Sequence, residues 1–183
     1  MIQFASLISI GFIASTSWAN PIIHSHEPIS PLTNAVRTGM DNGHPLFLCL
    51  GRLYNSVQPG KTWAGHGRCN VPYGGKEYIV DQFSVPDQRK IGRFSWERDR
   101  QNALVVGNDM DHKPLFVCQS RFNGSIQPGK TWQGYNYCNI SYAGREVLMN
   151  DFRVLSHPKE IVVRAAIPPV HRHTPMLTKH SHI

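Results

Sequence analysis

Apolar and polar residues follow one another in short alternating runs along this chain, broken every few positions by Gly or Pro. No window of about 11 residues holds a helical stripe, so the pattern predicts antiparallel β structure. Pro45-Leu46-Phe47-Leu48-Cys49 and Pro114-Leu115-Phe116-Val117-Cys118 read as short apolar strands. Asn55-Ser56 and Asn123-Gly124 read as the turns after them, the Asn-Gly pair being a strong hairpin signal. Gly74-Gly75 and Ala143-Gly144 predict a second turn in each set. Strand character resumes at Glu77-Tyr78-Ile79-Val80 and Glu146-Val147-Leu148-Met149, then leads to Phe83-Ser84-Val85 and Phe152-Arg153-Val154. Between the two sets, Phe94 and Trp96 alternate with polar residues and predict a further strand.

The elements come in pairs because the chain contains a tandem duplication. QPGKTW occurs at 58–63 and again at 127–132, and 20 of 41 positions are identical when 45–85 is laid on 114–154. The expected organisation is a signal peptide (1–19), an extended leader (20–33), repeat one (34–88), a linker strand (89–101), repeat two (102–157) and a His-rich tail (158–183). A unit of 50–60 residues is marginal alone. The fold class expected is therefore all-β, with two pseudo-symmetric repeats sharing or interlocking one core.

Phe4 to Ser15 is apolar or small, and Ser17-Trp18-Ala19 is a small-x-small cleavage site. This predicts export, with cleavage near Ala19 and no transmembrane segment in the secreted, extracellular product. No Lys or Arg precedes the apolar run, which leaves a buried helix or an uncleaved anchor as the alternative. The four cysteines occupy equivalent places in the two copies. Repeat symmetry favours Cys49–Cys69 and Cys118–Cys138 disulfides over the other pairings and over buried thiols. The formal charge of +7 favours anionic surfaces. No basic run marks a nucleic-acid arm, so nucleic acid is not an expected partner. His171, His173, His180 and His182 fall in a tail that reads as flexible, with metal binding the alternative reading. No metal or cofactor is expected.

Gly124 to Thr131 satisfies the phosphate-loop pattern, but Pro128 removes a donor from the cradle and no helix start follows. Asp109-Met110-Asp111 does not recur as a calcium loop in copy one, and no catalytic set stands out. What does recur is one acid and one base per copy: Asp41 with Lys61, and Asp109 with Lys130. A carboxylate accepts from vicinal hydroxyls while an ammonium facing solvent donates to a neighbouring oxygen. Trp63 and Trp132, two residues after each Lys, stack on a sugar ring in that reading. The alternatives are a turn-forming Asp, a solvated Lys and a core-packed Trp.

The order N-A-[VIL]-x-x-G-x-D, P-L-[FY], P-G-K, a G-x-E turn and [DE]-x-F-x-V resembles the DM-nine repeat family, over about 34–87 and 102–156. The resemblance is to the two-repeat, mannose-binding-lectin type, related to the lectin-like part of natterin-like proteins. It implies pattern recognition of surface glycans, and a homodimer as one assembly. By motif it places sugar at Asp41 and Lys61, and at Asp109 and Lys130. Copy one is one residue shorter between Asp41 and Pro45, which bears on the position of that carboxylate. The expected function is a secreted, non-enzymatic, bivalent carbohydrate-binding protein. The rival readings are a structural or protein-interaction module, an enzyme acting on polysaccharide, and an anionic-lipid binder. Asn123-Gly124-Ser125 and Asn139-Ile140-Ser141 are glycosylation sequons that matter in a eukaryotic source.

Overall fold

The computed structural model describes residues 32–158. The proposed signal peptide, the leader before Leu32 and the tail after Pro158 lie outside them. Repeat one forms β1 (Arg37–Asp41), β2 (His44–Leu53), β3 (Ser56–Thr62), β4 (Cys69–Tyr73), β5 (Lys76–Val80) and β6 (Phe83–Ser84). A one-turn helix, α1 (Gln88–Ile91), and β7 (Ser95–Glu97) follow. Repeat two gives β8 (Val105–Asn108), β9 (Pro114–Phe122), β10 (Ser125–Thr131), β11 (Cys138–Tyr142), β12 (Arg145–Met149) and β13 (Arg153–Ser156). The fold is all-β, as the alternation predicts.

The hairpin ladders run past the apolar stretches that predict them, so β2 reaches 10 residues. In copy two the turn is Asn123-Gly124, with Phe122 opposite Ser125. In copy one it is Tyr54-Asn55, with Leu53 opposite Ser56, one residue before the expected Asn55-Ser56. Ser56 belongs to β3, is buried, and donates from Oγ to the Leu53 carbonyl at 2.5 Å. Tyr54 consequently takes the left-handed φ of 54° that Asn123 adopts at 48° with less steric cost. The linker also differs from a plain strand. Asp87 caps α1 by accepting from the Arg89 amide at 2.8 Å, and only Ser95–Glu97 pairs, against β13.

The repeats interlock through their first strands. β1 pairs with β2 of its own copy and with β10 of the other, Met40 opposite Ile126. In the mirror arrangement β8 pairs with β9 and with β3, Asn108 opposite Val57. Eight strands close a circuit in the order β2, β1, β10, β11, β12, β5, β4 and β3. The duplicated Pro-Gly-Lys is shaped by this exchange. The outer edge of β3 passes from β8 at Val57 to β4 at Lys61, and Pro59 sits at the handover, where a missing N–H costs least. A Cβ on Gly39 would lie 2.2 Å from the Ile126 carbonyl oxygen, and one on Gly107 would lie 2.2 Å from that of Val57. Those glycines let a strand of one copy reach the other's backbone.

Burial follows the same plan. Val36 and Leu48 from copy one meet Leu104, Val117 and Leu155 from copy two in one shared core, with Ile91, Phe94 and Trp96 of the linker packed against it. Each copy adds a cluster of its own around its disulfide. Cys49 bonds Cys69 and Cys118 bonds Cys138, both at a sequence separation of 20, as the symmetry predicts. Two disulfides fit an extracellular protein. No helix among the described residues is long and apolar enough to cross a membrane.

Candidate functional site

The four charged residues singled out from the sequence gather into two clusters, each completed by the opposite repeat. Lys130 reaches across the shared interior, and its Nζ donates to Oε1 of Gln58 at 2.5 Å. The Gln58 amide in turn donates from Nε2 to Oδ1 of Asp109 at 3.2 Å and to Ser56 Oγ at 2.9 Å. One carboxamide from copy one therefore separates the acid and base of copy two and orients both. Asp109 Oδ1 also accepts from the Met110 amide at 2.9 Å, while Oδ2 accepts no hydrogen bond among the described residues. The Lys130 ammonium lies 4.5 Å over the Tyr73 ring, a cation–π contact from the other copy.

The second cluster repeats this with one difference. Lys61 Nζ donates to Gln127 Oε1 at 2.6 Å and to the Ser141 carbonyl, and stands 5.4 Å over the Tyr142 ring. Gln127 Nε2 donates to Ser125 Oγ at 2.9 Å. Among the described residues Asp41 makes no hydrogen bond to Gln127; its carboxylate acts on Lys61 through space. The residue missing from the turn after Asp41 accounts for this: the copy-two turn holds its carboxylate against the glutamine, and the shorter turn does not.

The lysines do not face solvent as the charge pattern led one to expect. Lys61 and Lys130 are 5% and 4% exposed, whereas both aspartates are half-buried. The amines tolerate burial because fixed carbonyl oxygens replace their hydration. Burial still pushes the Lys61 ammonium down, with Glu77 and Asp41 pulling back. It pushes Lys130 down to about 8, against Glu146 and Asp109. Lys130 thus stays mainly protonated at neutral pH. In the unfolded chain a lysine releases its proton near 10.4, so between pH 8 and 10 the unfolded state binds more protons than the folded state. Stability is therefore expected to rise with pH across that window, by up to about 1.4 kcal/mol per unit, and to fall back as pH drops to 8. Denaturant melts at pH 8, 9 and 10 check this. A slope unchanged in Lys130→Met would show that other groups carry it.

Trp63 and Trp132 are half-buried and already stacked within the chain. Trp63 lies on His66 and Trp132 on Tyr135, both at 3.7 Å between ring centroids. One face of each indole is covered, and neither indole belongs to a buried core cluster, so each is a half-buried stack and neither the core anchor nor the fully open sugar platform weighed from the sequence. Glu77 and Glu146 also lie near the lysines, but they are engaged in joining the repeats. Glu77 accepts from Asn70 Nδ2 at 2.8 Å and from the Gly144 amide at 2.8 Å; Glu146 accepts from Asn139 Nδ2 at 2.7 Å and from the Gly75 amide at 2.7 Å.

Sequence reasoning overlooked the bridging glutamines, Gln58 and Gln127, and the tyrosines beneath the ammonium groups, Tyr73 and Tyr142. A signal was available: all four, with Ser56 and Ser125, are identical between the copies. The partner each would meet was not legible, because it comes from the other repeat.

A family model described as the DM9 repeat matches residues 25–80 and 40–149, two overlapping spans that together take in more than half of the chain. Among solved structures, the nematode sperm cell motility protein MFP2B is similar at 16% sequence identity and a TM-score of 0.47, over 69% of this chain and 44% of that one. The chain thus spans less than half the length of that protein. No curated protein matches it. Its two interlocked copies, each carrying the Gly-x-Asp and Pro-Gly-Lys elements, and the match to the family model place the chain in the DM9 repeat family.

Proposed function

We propose that the protein is an exported carbohydrate-binding protein with two sites, Asp41 with Lys61 and Asp109 with Lys130, and that it binds without turnover. The observation that carries this is the Lys130–Gln58–Asp109 relay. It holds an ammonium and a carboxylate one carboxamide apart and leaves Asp109 Oδ2 open. A carboxylate so fixed accepts from two vicinal hydroxyls at little ordering cost, and the lysine's positive field strengthens each bond. The resemblance to two-repeat lectins makes mannose-type or other surface glycans the ligand class. Binding at a single site is weak for such shallow contacts, and two sites gain by avidity on a multivalent surface. Glycosidic hydrolysis typically uses a second open carboxylate, whereas both oxygens of Glu77 and Glu146 accept internal hydrogen bonds.

A second reading has an observation of its own. Each lysine is buried and bonded to the opposite repeat, so the couple also serves as a clamp between the copies. In a purely structural or protein-interaction module the clamp is all there is. A glycan array probed with the purified protein separates the two. Binding to mannose-type or microbial glycans, competed by the free sugar, is expected. An array without hits would leave only the clamp.

A further inference from the structure

A cleft of about 310 Å³ opens beside β9, β13 and the residues after β7, and no residue of either Asp–Lys cluster lines it. Three arginines line it: Arg98, Arg121 and Arg153. Register places them. Arg153 stands directly across from Gln119 on the adjacent strand, and Arg121 lies two residues along from Gln119 on the same face. Guanidinium, carboxamide and guanidinium therefore project together from β9 and β13. Arg98 approaches from the end of β7 and is tied to Asp151 at 2.9 Å. That pair neutralises one charge. Arg121 and Arg153 have no carboxylate partner among the described residues, which leaves the cleft with two uncompensated positive charges. Phe152 forms part of the wall, and a further guanidinium, Arg100, lies 5.3 Å over its ring.

This cluster breaks the symmetry of the duplication. Arg121 and Phe152 have identical counterparts, Arg52 and Phe83, but Gln119, Asp151 and Arg153 are replaced in copy one by Leu50, Gln82 and Ser84. The Asp–Lys elements are kept in both copies, while the cationic cleft exists in one. Exposed like charges held close repel unless an anion joins them, and paired guanidinium forks match the oxygens of a tetrahedral oxyanion.

We propose that this cleft binds a phosphate or sulfate monoester carried on a saccharide. A single ester on one sugar unit suits the size of the cleft. Asp151 in its lining is paired with Arg98, and that neutral pair adds no attraction for a flat anionic membrane. The cleft shares no lining residue with the Asp–Lys clusters, so its fate does not depend on the reading given to them.

The test is calorimetric titration of the full chain with mannose 6-phosphate, galactose 6-sulfate, the two uncharged sugars, inorganic phosphate, inorganic sulfate, and vesicles of phosphatidylcholine with phosphatidylserine. Saturable binding of an esterified sugar that weakens as salt rises is expected. Which ester binds more tightly tells phosphate from sulfate. Arg153→Ser, which installs the copy-one residue, and Arg121→Gln are each expected to weaken that binding at least roughly tenfold with unchanged melting temperature. The salt-sensitive part of that binding is expected to persist in Asp41→Ala with Asp109→Ala, which removes only what those sites hold of the sugar itself. Equal affinity in the arginine variants, binding of free ions or vesicles without the esters, or no binding at all would overturn the assignment.

Discussion

Replacing Asp41 and Asp109 together by alanine is expected to abolish retention on an immobilised mannose-type glycan while the protein still folds. Each aspartate would supply two charge-assisted acceptors, and hydrogen bonds to charged groups are worth about 1.5–3 kcal/mol apiece. Losing both at a site removes on the order of a hundredfold or more in affinity, which takes a weak sugar complex below detection. The cost to the fold is small because neither carboxylate is fully buried. Gln58 keeps Ser56 and Lys130 as partners when Asp109 is lost. Asp41 has no bond to Gln127 to lose, so the single variants should rank by structural cost, with Asp109→Ala the larger, at about 1 kcal/mol. Retention on a glycan resin, with a thermal melt on the same samples, checks both halves. Undiminished retention by the double variant would remove the aspartates from the site.

A second large effect is expected from Gly129→Ala, this time on the fold. A Cβ there would stand 2.1 Å from the Asn139 carbonyl oxygen, with backbone and no flexible side chain in the way. β10 and β11 must move apart at the pair Gly129 and Ile140, next to Lys130 and its partner Asn139. Overpacking against rigid backbone costs about 3 kcal/mol or more, or roughly 10 °C in melting temperature for a domain of this size. Gly60→Ala repeats the experiment in copy one, where the oxygen of Asn70 is 2.4 Å away. Gly134 is the control: it has open space around it but a φ of +79°, so alanine there costs only about 1 kcal/mol of backbone strain. If Gly129→Ala melts like Gly134→Ala, close strand approach is not why the Pro-Gly-Lys glycine is kept in both copies.

Much of this was legible in the sequence. Alternation marked the strands, identity between copies marked the repeat, and matched cysteine positions marked the disulfides. These signals are local or follow from symmetry, so a linear pattern carries them. The misplaced Tyr54-Asn55 turn shows the limit of local rules. Asn55 looks like a turn residue, yet hairpin register is fixed by cross-strand pairing, and the pairing of Leu53 with Ser56 put a tyrosine at the left-handed position. The tyrosine edge contacts around Tyr54 and Tyr73, with centroids 5.8 Å apart, help to hold it there.

The sequence by itself determined that an aspartate and a lysine recur in each copy, and that the chain is a doubled β unit. Only the tertiary structure decided that β1 and β8 exchange between copies, so that Gln58 and Gln127 become the bridges. It also decided that the lysines are buried, that Asp109 is fastened where Asp41 is not, and that two arginines of repeat two converge with one from the linker. The physical reason is common to all of these. Side-chain chemistry belongs to the residue, but hydration, protonation and hydrogen-bond partners depend on which backbone lies across from it. In interlocked repeats, that backbone comes from a segment about 70 residues away.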